Sequence, residues 1–266
     1  MSNNIKLLVP YLAIVFFSYL ATLAESRTFT IQNNCPFTIW PAYFNNPDSP
    51  ARIDGGASPA GWEAPGGDVR TISVPDGWAG RFWGRRNCDF GGGSTLPSTC
   101  VVGGCNGGLV CDASTGTGVP PVTLAEFKLN GDGNQDFYDV SNVDGSNLPV
   151  RITNTKGCPT PQCAVDLNAI CPDDRLKVRD SNGVTIGCLS ACQANLDGNR
   201  EDSANCCTGS HSTADTCPSS GVQFYDFFKS NCQDAYAYAY DESSQSALWT
   251  CSADGGGSDY TVIFCP

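Results

Sequence analysis

Cations are scarce in this sequence: 15 Lys and Arg stand against 27 Asp and Glu, a formal net charge of -12. That balance excludes binding to nucleic acid or to an anionic membrane surface through bulk charge. Histidine is nearly absent, with His211 alone, and no two cysteines form a Cys-x-x-Cys pair. Zinc sites draw on both features, so neither metal nor cofactor is expected. No Gly-x-Ser-x-Gly elbow occurs, and the Gly-rich stretches lack the lysine of a phosphate loop. Triad hydrolysis and nucleotide chemistry therefore have no support. Asp132-Gly133-Asn134-Gln135-Asp136 begins like a calcium loop, but Phe137 replaces its glycine and Val143 its closing glutamate, which excludes that reading. The chain has no Asn-x-Ser/Thr acceptor, so no N-glycosylation is expected.

Long apolar runs are also missing, with one exception. Leu7 to Ala24 is uncharged and largely apolar after a short start carrying Lys6. It runs for about 18 residues, the lower edge for crossing a bilayer. The small residues at its end and the polar, cysteine-rich chain after it read as a cleaved secretory leader, residues 1–26. Cleavage after Ala24 and cleavage after Ser26 both fit. Removing the leader deletes Lys6 and Glu25, one charge of each sign, so the net charge stays at -12. No integral membrane segment is expected afterwards.

What the chain has in abundance is cysteine, sixteen in all. Nine fall between Cys158 and Cys232, about 12% of that stretch and within the range of disulfide scaffolds. Four more lie between Cys88 and Cys111. Such a chain matures where thiols oxidise, so a secreted, extracellular protein is expected. Eight bridges can be drawn in about 2 million ways, and spacing alone selects none. Cys206 and Cys207 are adjacent and are expected to take different partners.

Outside the cysteine-dense stretches, period-two patterns dominate. Strands are expected at Thr28–Ile31, Phe37–Trp40, Val69–Val74, Arg81–Trp83, Val122–Leu129, Phe137–Ser141, Val150–Thr153 and Tyr260–Phe264, with turn residues in most gaps. The expected class is mainly β, an antiparallel sandwich core. Ala235 to Tyr240 alternates Ala and Tyr and reads as a further strand with an aromatic face. A helix is expected from about Val222 to Ser230, capped by Ser219 or Ser220, and another at Leu189–Leu196.

Two carboxylates are related by local pattern. Asn130-Gly131-Asp132-Gly133 is a turn signal. A hairpin centred between Asp132 and Gly133 pairs Glu126 with Asp139 on one face. Like charges directly opposite are unfavourable and raise one carboxyl's pKa. A protonated acid beside an ionised carboxylate is the arrangement of glycoside hydrolysis.

Further motifs are Thr28-Phe29-Thr30-Ile31-Gln32-Asn33-Asn34-Cys35-Pro36, Trp83-Gly84-Arg85, Leu124-Ala125-Glu126-Phe127, Asp136-Phe137-Tyr138-Asp139-Val140-Ser141, Val143-Asp144-Gly145, Asn147-Leu148-Pro149 and Val262-Ile263-Phe264-Cys265-Pro266. Together they resemble the thaumatin-like proteins, the plant defence family of thaumatin and osmotin. The resemblance spans the mature chain and all sixteen cysteines in order. One departure is Val101-Val102-Gly103-Gly104 after Cys100, where the family usually has Thr-Gly-Asp before a cysteine.

The resemblance implies eight bridges: Cys35–Cys265, Cys88–Cys100, Cys105–Cys111, Cys158–Cys251, Cys163–Cys232, Cys171–Cys188, Cys192–Cys206 and Cys207–Cys217. It also implies three domains. Residues 27–87, 118–165 and 233–266 would form the β-sandwich, and 88–117 a small two-disulfide loop domain. Residues 166–232 would form a disulfide-rich domain with short helices. An acidic cleft lined by Arg81, Glu126, Asp139, Asp144 and Asp241 would bind β-1,3-glucan of fungal cell walls, or a cationic patch on a fungal protein. If glucan is cleaved, Glu126 would be the acid and Asp144 the base or nucleophile. Phe90, Tyr138, Tyr236, Tyr238 and Tyr240 are candidate sugar-stacking residues. The implied function is that of a monomeric, apoplastic antifungal protein, a binding and defence protein first, to which some relatives add weak endo-β-1,3-glucanase activity. The alternatives are a lectin-like or receptor-binding stress or allergen protein, and a membrane-permeabilising protein.

Overall fold

The computed structural model describes residues 26–266. The expected leader, apart from Ser26, lies outside the described residues. The first strands are β1 (Ser26–Asn33), β2 (Trp40–Asn45), β3 (Val69–Pro75), β4 (Ala79–Cys88) and β5 (Cys100–Val102). There follow β6 (Leu124–Gly131), β7 (Gln135–Ser141), β8 (Val150–Asn154), β9 (Gln162–Cys163), β10 (Lys177–Arg179) and β11 (Thr185–Cys188). One α-helix, α1 (Tyr225–Asn231), precedes β12 (Trp249–Ser252) and β13 (Tyr260–Phe264).

Two sheets face each other. One has the order β3-β1-β13-β8-β9, and the other β12-β7-β6-β4-β2 with β5 beside β4. The pairings are antiparallel except that β1 and β13 run parallel. Alternation explains the core. Phe29 and Tyr260 of one sheet meet Phe82, Phe127 and Tyr138 of the other, with Phe29 and Phe127 ring centroids 4.8 Å apart and Tyr138 and Tyr260 5.2 Å apart. All five side chains are buried, each contributing about 1.5–3 kcal/mol by leaving water. The β-sandwich expected from the sequence is the fold observed.

The sandwich also encloses charge. Asp136 is fully buried, pairs with Arg27 and accepts from the Tyr260 hydroxyl at 2.7 Å. Arg85 is equally buried and has carbonyls for partners. It donates to Trp40 O at 2.9 Å and to Gly108 O and Leu109 O at 2.8 Å. Burial pulls its guanidinium down to about 10. These bonds fasten the stretch after β5, which has little core of its own, to the sheet.

The sixteen cysteines form eight bridges, and the pairs are those the resemblance implies. Four local expectations differ from the structure. The strand expected at Phe37–Trp40 is irregular up to Ile39, and β2 begins only at Trp40. Leu189–Leu196 is a succession of turns: Leu196 N reaches Ala191 O, Asn195 N reaches Cys192 O, and Asn195 has φ 51°. The helix expected from Val222 starts at Tyr225, because Phe224 sits at φ 62° and Ser219–Gly221 forms a separate short turn. Ala235–Tyr240 is not a strand. Only Tyr236 bridges to Ser141, and Asp241 turns the segment back by accepting from Ala237 N at 2.9 Å.

Candidate functional site

The outer face of the second sheet carries a row of side chains across four strands. Phe44 of β2 lies opposite Arg81 of β4, Arg81 opposite Glu126 of β6, and Glu126 opposite Asp139 of β7. The hairpin pairing read from the turn residues is therefore present. Arg81 Nη1 lies 3.7 Å from Glu126 Oε1, and its guanidinium rests on the Phe44 ring at 5.4 Å. Glu126 keeps about a third of its side-chain exposure, at 33%. Asp139 keeps 8% and has its Oδ1 buried without a hydrogen-bond partner. The difference arises because the segment with Tyr236, Ala239, Glu242 and Leu248 covers the β7 end of the row.

Asp144 reaches the same cleft from the loop after β7. Gly145 closes that turn at φ 92°, with its amide donating to Asn142 O at 2.8 Å. A Cβ on Gly145 would stand 2.4 Å from the Cys188 carbonyl oxygen, so only glycine lets the loop lie against β11. Ser146 then exchanges two backbone hydrogen bonds with Cys188, at 2.8 and 2.7 Å. Asp144 Oδ1 accepts from Gln193 Nε2 at 2.7 Å, a contact from the disulfide-rich stretch.

The volume enclosed is about 560 Å³. Burial raises the pKa of Glu126, opposed by Arg81 and reinforced by Asp144. Asp139 is pushed well above the usual carboxylate range by burial, then by Glu126 and Glu242, with Arg81 opposing. Asp144 is raised by burial, against the Gln193 hydrogen bond and Arg81. The site is thus a desolvated acid cluster with one ion pair, able to hold protons and to accept hydrogen bonds from hydroxyls. Among the described residues, no group of three or more His, Cys, Asp or Glu is arranged to hold a metal ion.

Asp241 does not join this cleft. It is fully buried, accepting from the Tyr225 hydroxyl at 2.9 Å and pairing with Lys229 Nζ at 3.0 Å. Its neighbour Glu242 is exposed, lines the cleft and accepts from the Tyr236 hydroxyl at 3.1 Å. The acidic doublet is visible in the sequence. Which member faces the cleft is decided by Lys229 of α1, a contact no local pattern reports.

The family is decided by comparison. The thaumatin family profile matches residues 33–266. Pathogenesis-related protein 5 of Arabidopsis thaliana is 43% identical over 242 residues, covering 90% of each chain. The chain belongs to the thaumatin family. Thaumatin-like protein 1a of Malus domestica is 38% identical over 268 residues, 100% of this chain and 99% of that one. A Prunus avium protein named glucan endo-1,3-beta-glucosidase is 35% identical over 246 residues, 91% of this chain and 92% of that one.

In this thaumatin-family cleft the aromatic candidates sort by burial. Tyr236 lines the cleft. Tyr138 is core, and Tyr238 is buried edge-on against Tyr225 at 5.4 Å. Tyr240 turns away to donate to Ser212 O at 2.6 Å. Phe90 packs beside Trp40 and under Arg85. Besides Glu242, the sequence reading missed further cleft residues, among them Lys128, Phe137, Phe44 and Leu248. The first two share the outward face with Glu126 and Asp139 by period two, so alternation could have found them.

Proposed function

We propose that this thaumatin-family chain is a secreted plant defence protein that binds β-1,3-glucan of fungal cell walls in its acidic cleft, with antifungal effect. The observation that carries the reading is the row Arg81–Glu126–Asp139 facing Asp144 in one cleft. Carboxylates accept from sugar hydroxyls, Arg81 donates to them, and Tyr236 and Phe44 offer apolar walls. The name of the Prunus avium relative supports glucan as the ligand class. Eight disulfides suit an oxidising compartment, here the apoplast. The three-domain division, with the cleft between the sandwich and the disulfide-rich domain, is part of this reading.

Turnover is assigned to Glu126 as proton donor and Asp144 as base or nucleophile. Incubation with laminarin tests it: wild type releases reducing ends, and Glu126→Gln releases far fewer. Undiminished release from that variant removes the assignment. Binding without turnover is the second reading, favoured by the Gln193 hydrogen bond that occupies Asp144 Oδ1. It predicts no released ends and laminarin affinity lost in Asp144→Asn.

A further inference from the structure

Asp139 is the cleft acid whose surroundings least suit a negative charge. Its side chain is almost wholly buried, and Oδ1 has neither solvent nor a hydrogen-bond donor. Glu126 faces it directly from β6. Glu242 faces it from the short turn Asp241–Ser244, and Tyr236 spends its hydroxyl on Glu242. The cleft's ion pair goes to Glu126, because Arg81 sits on the far side of that residue, one strand further away. Lys128 lines the same face of β6, next to Glu126 in the period-two order, and is exposed. An ionised Asp139 would thus be a desolvated carboxylate with an empty acceptor, facing two other carboxylates. A proton removes both penalties at once.

We propose that Asp139 is the proton-holding residue of the cleft: as a neutral carboxylic acid it donates a hydrogen bond to an oxygen of a bound neutral sugar. Oδ1, enclosed and unpartnered, is the carbonyl oxygen of that acid, and Oδ2 carries the donor toward the cleft. The direction of its pKa agrees, since burial, Glu126 and Glu242 all act to retain the proton. Asp139 does not replace Glu126 in turnover. It holds a second proton of the cleft, one strand away from Arg81, whose ion pair goes to Glu126.

The protonation state selects the class of occupant. Hydroxyl and ether oxygens of a neutral glucan accept from a carboxylic acid. An ammonium or guanidinium group has no acceptor and gains only once Asp139 ionises. Neutral glucan and a cationic protein patch must therefore respond to pH with opposite signs. The argument favours the glucan, and its ligand half rests on the glucan reading given above.

The test has two independent arms on the mature, disulfide-bonded protein. Carboxyl ¹³C NMR of the free protein, with the Asp139 signal identified by its loss in Asp139→Asn, reads the proton directly. The expected midpoint lies well above the ordinary aspartate value of about 4, and an ordinary midpoint overturns the proposal. Calorimetry with laminarin oligosaccharides between pH 5 and 8 reads the donor. Wild-type affinity is expected to fall about tenfold as pH rises through that midpoint, because the sugar oxygen that accepted from the acid then faces a carboxylate lone pair. Asp139→Asn keeps a donor in its amide and flattens the profile, whereas Asp139→Ala binds weakly throughout. A flat wild-type profile overturns the donor role. An affinity for a lysine-rich peptide that rises with pH, with laminarin never bound, removes the glucan occupant. In that event the NMR midpoint alone upholds or overturns the proton's place, so the two failures are told apart.

Discussion

Replacing Gly145 by alanine probes how Asp144 is delivered to the cleft. The residue has φ 92°, and an L side chain in left-handed backbone costs about 1–2 kcal/mol. The new Cβ would lie 2.4 Å from the Cys188 carbonyl oxygen, 2.9 Å from Leu189 Cα and 3.0 Å from Ser190 N. All three are backbone atoms, so no side chain can swing away. The loop must retreat by about 1 Å to restore ordinary contact, which stretches both Ser146–Cys188 hydrogen bonds, each worth about 0.5–1.5 kcal/mol. The sum is a loss of about 2–5 kcal/mol, read as a fall of roughly 4–20 °C in thermal midpoint for a chain of this size. Gly183→Ala is the control. Gly183 also has positive φ, 78°, but a Cβ there meets nothing within 4 Å, so it should lose about 1–2 kcal/mol from backbone strain alone. Differential scanning calorimetry with disulfides intact compares the two. Equal losses would refute the claim that contact with the Cys188 carbonyl fixes the loop. Gly145→Ala should also weaken whatever Asp144 and Gln193 jointly bind, and Gly183→Ala should not.

Three further outcomes are expected. Asp139→Asn should become more stable than wild type as pH rises from about 4, where an unfolded aspartate ionises, toward the raised folded midpoint. Above that midpoint the gap is constant, and below pH 4 both states are protonated and the gap closes; parallel curves of thermal midpoint against pH would count against a raised Asp139. Asp241→Asn leaves Lys229 without its buried partner and should cost about 3 kcal/mol in denaturant unfolding, most of it recovered in the double variant with Lys229→Met. Arg85→Met strands the carbonyls of Trp40, Gly108 and Leu109, with an expected loss of about 2–4 kcal/mol; hydrogen exchange should show the Cys105–Cys111 segment loosening first.

What could be read from the chain was what local rules govern. The Glu126–Asp139 pairing follows from a short turn and period two, and the irregularity between Lys128 and Gly131 falls outside the row and leaves it intact. The strands at Thr28–Ile31 and Tyr260–Phe264 follow from alternation. That they lie side by side and parallel does not, because their pairing is set by which faces need covering in the finished sandwich. Asp241 shows the same limit. Its neighbour Glu242 is chemically equivalent at the level of sequence, and the distinction is made by Lys229 and Tyr225 on α1. The Ala-Tyr alternation at Ala235–Tyr240 has strand period, but only Tyr236 bonds to the edge of β7 before Asp241 turns the segment back, so its tyrosines go to three different places. Burial of Tyr138 likewise depends on which face of its sheet β7 turns to the core.

The parallel pair of β1 and β13 has a consequence for the order of events during synthesis. β1 is made long before its neighbour, since Cys35 and Cys265 are 230 residues apart. At translation rates of about 5–20 residues per second, Cys35 waits roughly 10–50 s for its partner to be made. Through that interval β1 can pair with β3 on one edge while its other edge stays open. The thiol of Cys35 coexists with the fourteen cysteines made before Cys265. A correct Cys35–Cys265 bridge therefore depends on the nascent chain keeping one strand edge and one thiol unspent until Cys265 arrives, a task suited to a compartment with thiol–disulfide exchange catalysts.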